Sequence, residues 1–150
     1  MGGIFQHICE NKIEVDDTMY SIIIPITIEY INVFTIQNAL ALGTIAINAA
    51  KLNLQSEKLW EAIFAKLDGQ NVYKYLNHGQ IAELLAAIVN QGTYIDHPLV
   101  GKLSATIAQQ KAHYQHFPAL MSLIRETNAT LQAKSPQTLQ IAENLKQVTA

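Results

Sequence analysis

The stretch I-D-H-P-L-V-G-K-L-S-A-T-I at residues 95–107 repeats a pattern that occurs eighty residues earlier. There the chain reads V-D-D-T-M-Y-S-I-I-I-P-I-T over residues 15–27, and the two segments align without a gap. In both, an aliphatic residue and an aspartate precede apolar residues spaced four apart, which lie on one face of an α-helix. A recurrence of this kind is typical of a repeat architecture.

A third copy lies midway between these two, so that equivalent residues recur at intervals of forty. The first rank is Met19, Leu59 and Leu99, and the next ranks follow four and eight residues later. Stacked helices bury such ranks against one another. The predicted repeat core therefore comprises Met19, Ile23, Leu59, Ile63, Leu67, Leu99, Leu103 and Ile107.

Each of these helices begins after a polar segment that suits a helix N-terminus. Residues 16–18, 55–57 and 96–98 supply N-cap side chains, acidic first-turn residues or a first-turn proline. Apolar, Ala-rich runs at residues 38–52 and 80–89 precede the second and third caps, and Gly92 is suited to a left-handed C-cap. The repeating unit is thus predicted to be a helix-turn-helix.

These patterns predict an all-α fold, a right-handed solenoid of about three to four helix-turn-helix repeats of about 40 residues each. We expect a single domain over residues 1–150. Within it, residues 114–133 form a helical run and Ser135-Pro136 opens a last helix. The predicted repeats are about 1–34, 35–74 and 75–112, with a divergent C-terminal cap at 113–150.

Two segments leave alternatives open. Pro25 removes a backbone donor, so residues 22–28 form either a kinked helix or, because five of the seven are Ile, a short strand. Residues 30–50 are sparsely charged and long enough to cross a bilayer, but four amide side chains interrupt them. A buried helix is the preferred interpretation of that stretch over a membrane span.

Residues that could carry chemistry are few. His113 and His116 have the i,i+3 spacing of a helical metal site, yet no third ligand lies near them in the sequence, so surface or capping roles are favoured. Glu29, an isolated charge, is expected to reach solvent from its helix end, and Cys9 to be a small buried residue. No phosphate-binding loop or nucleophile motif occurs. We therefore predict no enzyme activity, no cofactor, no metal site and no small-molecule substrate.

Composition favours association with other proteins. Of the 150 residues, 49% are hydrophobic and only 15% are charged, which lies at the apolar edge of the globular range. The net charge of −2 and the scattered Lys and Arg give no basic stripe for a nucleic acid. Tyr73, Tyr75, Tyr94 and Tyr114 could stack on bases, but packing between helices is favoured.

The segment A-L-G-T-I-A-I-N-A-A-K-L-N-L-Q-S-E-K-L-W-E-A-I-F-A-K-L, within residues 41–67, resembles the paired-helix repeats of FAST-kinase-like and heptatricopeptide or octotricopeptide proteins of organelles. It is more loosely similar to HEAT and armadillo repeats. The resemblance covers about residues 1–110 and implies a mitochondrial or plastid setting. The mitochondrion is the preferred localisation, and the cytoplasm is the alternative. It also implies RNA binding or ribosome association as an alternative function.

The resulting functional expectation is a non-catalytic accessory subunit of a large mitochondrial complex, such as a respiratory complex or ATP synthase. Its expected partners are other protein subunits, with lipid as a further contact at a membrane-proximal face. RNA is the less favoured partner. The predicted interface residues are Ile4, Phe5, Ile24, Ile28, Phe34 and Trp60.

Overall fold

The chain is described from a computed structural model over residues 3–134 and 139–149. These residues form helices and turns without a strand, so the predicted all-α class is confirmed. The α-helices are α1 (Gly3–Glu10), α2 (Asp17–Asn32), α3 (Ala39–Lys51), α4 (Glu57–Phe64), α5 (His78–Gln91), α6 (Pro98–Gln109), α7 (Lys111–Gln115), α8 (Pro118–Lys134) and α9 (Leu139–Thr149). Short 3₁₀ turns at Ile36–Asn38 and Val72–Tyr75 and a π-helical turn at Ala65–Gly69 connect some of them.

Two compact units, Met1–Leu76 and Asn77–Ala150, divide the chain. In the first unit, α1 packs against α3 and α2 packs against α4. In the second, α5 packs against α8 and α6 packs against α9. Within each unit, therefore, the first helix of one pair contacts the first helix of the next, and the second contacts the second, as stacked repeats do.

The helix starts lie in the polar segments that the sequence indicated. Asp16 caps α2 by accepting a hydrogen bond from the Met19 N–H at 2.8 Å, and Ser56 caps α4 through the Leu59 N–H at 3.3 Å. His97 Nδ1 accepts from the Leu99 N–H at 3.1 Å at the start of α6. Gly92 ends α5 with φ +85°, which confirms the predicted left-handed C-cap.

The core of the first unit contains tightly packed small residues. Most of α3 is buried, and its Ala residues and Gly43 allow other helices to approach closely. Trp60 of α4 is buried beside Phe64, with ring centroids 5.4 Å apart, and its Nε1–H donates to the Leu54 carbonyl at 2.8 Å. The indole therefore contributes both packing and a satisfied hydrogen bond to the core.

Six of the eight predicted core residues are fully buried, with none of their surface exposed: Leu59, Ile63, Leu67, Leu99, Leu103 and Ile107. The first copy differs, because Met19 is 50% exposed and Ile23 is only half-buried. The prediction that Met19 and Ile23 lie in the core is therefore corrected, since neither side chain is buried. The buried residues of α2 are Thr27 and Ile31, in its C-terminal half, whereas the side chains of its first turns are exposed or half-buried.

Two local expectations are settled by the helix boundaries. α2 continues through Pro25, which confirms a helix over residues 22–28 and rejects the strand. The predicted run at 114–133 is divided between α7 and α8, because Pro118 starts a new helix. The predicted helix start at Ser135-Pro136 lies outside the described residues.

Residues 30–50 do not form one continuous helix. α2 ends at Asn32, and Thr35 and Asn38 form a capping box before α3 begins at Ala39. Within the described ranges, every helix is too short or too polar to span a bilayer.

Candidate docking surface

One face of α2 presents an apolar stripe to solvent. Between 46% and 74% of each of its side chains is exposed. The successive spacings along the helix are three, four, four and three residues, which places the side chains on one face. The stripe consists of Met19, Ile22, Ile26 and Tyr30 of α2 and of Val33, the residue that caps its C-terminal end.

A second face of α2 borders an open groove against the start of α4. The groove has a volume of about 480 Å³ and lies within the first unit. Its apolar wall includes Ile24, Pro25 and Ile28 of α2. Its polar lining is Asp17, Tyr20, Ser21, Ser56 and Lys58.

Pro25 interrupts the backbone hydrogen bonding of α2 beside this groove. Proline has no N–H, so the carbonyl of Ser21, four residues earlier, lacks its usual helical donor. Ser21 and Pro25 both line the groove, while the Ser21 hydroxyl donates to the Thr18 carbonyl at 2.6 Å. The groove therefore lies beside a turn of α2 in which proline removes one backbone hydrogen bond.

The charge on α2 is entirely acidic. Asp17 and Glu29 are its ionisable acids, and the helix contains no Lys, Arg or His. Glu29 is exposed, and two of the residues three and four positions from it, Ile26 and Val33, belong to the stripe, so its carboxylate lies beside that apolar surface. Lys66, from the turn after α4, donates its ammonium proton to the Phe34 carbonyl at 3.0 Å.

The predicted interface residues separate into two groups. Ile24 and Ile28 line the groove and are half-buried, and Ile4 is also half-buried. Phe5, Phe34 and Trp60 are buried, so the structure corrects their placement at a surface. Large aromatic side chains remove the most apolar area from water when they are buried, and all three of these side chains pack in the core.

The repeat pattern did not indicate the stripe. It placed Met19 in the core and gave no role to Ile22 or Ile26. The available indication was the density of Ile in α2: a helix that is apolar all round has more apolar surface than one neighbouring helix covers.

The second unit contains a cluster of histidines and aromatic rings. The rings of His78 and His113 are stacked, with centroids 3.6 Å apart and planes inclined by 23°, and Phe117 lies 5.0 Å from His113. The pKa of His113 is lowered by desolvation and, secondarily, by His78 and His116. His113 thus stacks on His78, which sequence spacing did not indicate.

No metal centre is evident around these rings. Over residues 3–134 and 139–149, no group of three or more His, Cys, Asp or Glu side chains is placed to hold an ion. Two imidazoles in face-to-face stacking direct their nitrogen lone pairs outward in the ring planes, away from the space between them. The metal site that the spacing of His113 and His116 allowed, and that was not the favoured interpretation, has no third ligand in the described part of the chain.

The tyrosines and the cysteine considered from the sequence include two side chains, Tyr114 and Cys9, that donate hydrogen bonds to backbone carbonyls. Tyr114 is fully buried and its hydroxyl donates to the His78 carbonyl at 2.9 Å, while Tyr73 is buried and Tyr75 is exposed. The Cys9 thiol donates to the Asn48 carbonyl across 3.7 Å, and desolvation raises its pKa. A raised pKa keeps the thiol protonated, which is the less nucleophilic form.

The comparisons with known proteins assign no family. No protein-family model matches the chain, and no curated protein matches it. The α2 surface is therefore interpreted from its own geometry, which combines a large apolar area with isolated carboxylates. Such a surface is suited to binding another macromolecule.

Proposed function

We propose that this chain is a non-catalytic accessory subunit of a large mitochondrial protein complex, such as a respiratory complex or ATP synthase. It acts by protein–protein contacts, and the α2 surface is the part of the chain that docks. The mitochondrial setting of this proposal rests on the resemblance of residues 41–67 to organellar helical repeats.

The exposed stripe on α2 carries the proposal. Met19, Ile22, Ile26, Tyr30 and Val33 leave roughly half or more of each side chain in water. Transferring apolar surface out of water gains about 25 cal/mol per Å², so covering this stripe with a partner is favourable. Contiguous exposed apolar surface of this kind marks interaction sites in folded proteins.

We also propose that the helix pairs follow one another as a right-handed solenoid. The supporting observation is the register of packing inside each unit, where α1 contacts α3 and α2 contacts α4, and where α5 contacts α8 and α6 contacts α9. A solenoid exposes the outer faces of its helices in a row, and α2 supplies one such face.

The charge of the surface favours protein over nucleic acid. A phosphate backbone requires Lys and Arg, whereas the charged side chains of α2 near neutral pH are Asp17 and Glu29. Of the four tyrosines considered for base stacking, Tyr73 and Tyr114 are buried. An RNA-binding role therefore has no support from this surface.

The test is native purification of a tagged chain and two double variants from the source organism. Ile22→Glu with Ile26→Glu places two carboxylates on the stripe. The matched control, Ala129→Glu with Ala133→Glu, changes two exposed residues of α8 at the same spacing. Circular dichroism first establishes that all three proteins are equally helical.

We expect the unmodified chain and the α8 control to migrate with a large assembly in the mitochondrial fraction, and the stripe variant to migrate alone. Two carboxylates under a protein interface would lose their hydration without gaining partners, which accounts for the release. A chain that migrates alone before any substitution contradicts the proposal, as does a stripe variant that remains in the assembly.

A further inference from the structure

We propose that the α2 surface receives an α-helix of another protein, and that this helix places a Lys or Arg side chain against Glu29. The inference rests on the proposed docking function and names the chemistry of the docked partner.

The spacing of the stripe indicates a helical partner. Its five side chains follow one another at three, four, four and three residues, an average of 3.5. Apolar residues at that average form the seam along which two helices pack side by side, each side chain entering a space between side chains of the other helix. The stripe spans nearly the full length of α2, so a partner helix of several turns can lie along it.

Glu29 indicates the charge of that helix. It is exposed beside the stripe, and positions three and four residues away hold Pro25, Ile26, Asn32 and Val33, none of which is basic. A helix laid over the stripe would remove water from this carboxylate. Burial of an unpaired carboxylate is costly, whereas a cation brought by the partner compensates for the lost hydration.

A second copy of this chain supplies no such cation through α2. Pairing of one α2 with another, parallel or antiparallel, brings only Asp17 and Glu29 to the seam. The first unit as a whole carries eight acidic and five basic side chains, so it also repels an anionic lipid surface. Charge complementarity therefore favours a basic helix of another protein over both of these occupants.

The probe for this inference is a pair of synthetic 21-residue helical peptides. Both carry Leu at the three-four-four-three spacing; one has Lys at the positions flanking the Leu seam, and its twin has Glu there. Fluorescence anisotropy of each labelled peptide measures its affinity for the full chain at low salt. Three proteins are compared: the unmodified chain, Glu29→Lys, and Glu126→Lys as a control at an exposed site on α8.

For the unmodified chain and the Glu126→Lys control, we expect the Lys peptide to bind about tenfold more tightly than the Glu peptide. In Glu29→Lys the order should reverse. Added salt should reduce both differences, since exposed ion pairs are screened. Substituting Ile22 and Ile26 by Glu should weaken binding of both peptides.

Several results would overturn the inference and leave the docking proposal to its own test. These are equal binding of the two peptides, binding of neither, or a preference that Glu29→Lys does not reverse. Sedimentation that shows a dimer lost in the Ile22→Glu, Ile26→Glu variant would assign the stripe to a second copy. Stripe-dependent binding to phosphatidylcholine vesicles, or to vesicles that also contain phosphatidylglycerol, would assign it to a membrane surface.

Discussion

Helices α2 and α6 share one sequence pattern but use it differently. Each follows a polar cap, and their apolar ranks are eighty residues apart. In α6 all three ranks, Leu99, Leu103 and Ile107, are fully buried. The equivalent residues of α2 are Met19, Ile23 and Thr27, and of these only Thr27 is fully buried.

The contacts of the two helices account for the difference. α6 packs against both α5 and α9, and its outer side carries Lys102 and Gln109. α2 packs against α4, and its outer side carries the apolar stripe. The repeat spacing thus specifies a helix and its common register, whereas the composition of the outer face varies between copies and leaves an apolar stripe exposed on α2 but not on α6.

The largest predicted difference between the two helices is the energetic cost of shortening equivalent side chains. Leu103→Ala in α6 should reduce the free energy of unfolding by about 3 kcal/mol, because a fully buried leucine leaves a cavity. Ile23→Ala, its counterpart in α2, should cost about 1 kcal/mol, since Ile23 is only half-buried. Urea titrations followed by circular dichroism measure both. Equal costs would mean that α2 is as fully packed as α6.

The second prediction compares the prolines of the two helices. Pro25 is exposed in the interior of α2, so Pro25→Ala opens no core cavity and restores an N–H for the Ser21 carbonyl. We expect a gain in unfolding free energy of about 2 kcal/mol. Pro98 begins α6, where proline is well tolerated, and Pro98→Ala should change stability by about 0.5 kcal/mol or less. Loss of stability in Pro25→Ala would show that the surrounding structure depends on the proline ring.

Features that depend on local chemistry were predictable from the sequence. The capping regions, the left-handed Gly92 and the buried ranks of α4 and α6 follow from rules that act over a few residues. For residues 22–28 the sequence favoured a kinked helix and left a short strand as the alternative. The helix forms there because tertiary contacts at Thr27 and Ile31 and the continuous apolar pattern outweigh the missing donor.

Features that depend on which helices meet were not predictable. Met19 fits the rank of Leu59 and Leu99 in sequence, but half of its side chain is exposed, because burial depends on which face of α2 the neighbouring helix covers. The stacking of His78 on His113 joins residues thirty-five positions apart and depends on how the start of α5 meets α7. No single-sequence spacing contains that information.

The third prediction compares a buried and an exposed tyrosine. Tyr114→Phe removes the hydrogen bond to the His78 carbonyl and should cost about 1 kcal/mol, whereas Tyr75→Phe, at an exposed site, should cost less than about 0.5 kcal/mol. Urea titrations near neutral pH measure both variants. Equal effects would show that the buried hydroxyl contributes no net stability.

The same tyrosine predicts a dependence of stability on alkaline pH. Burial raises the pKa of Tyr114, so above the ordinary tyrosine value near pH 10 the unfolded chain releases a proton that the folded chain keeps. The folded state then binds more protons than the unfolded state, and this contribution to stability declines as pH rises above about 10. Absorbance of the phenolate should show Tyr114 titrating last, and the Tyr114→Phe variant should lack this part of the alkaline decline.

The smallest predicted effect is a dependence of stability on acidic pH through His113, whose ring stacks on His78 in the second unit. Helix α2 in the first unit contains no histidine and makes no such contribution. Desolvation lowers the pKa of His113 first, and the charges of His78 and His116 lower it further. The neutral ring is thus favoured in the folded state, so this contribution is present above about pH 6.5 and is lost as pH falls through the lowered folded value. NMR titration of the imidazole carbons should give His113 a pKa below that of an ordinary histidine.

The His78→Phe variant tests the cause. It keeps an aromatic ring against His113 but removes the charge, so the pKa of His113 should rise only part of the way, because desolvation, the larger cause, remains. A complete return to the ordinary value in His78→Phe would instead make charge repulsion the dominant cause.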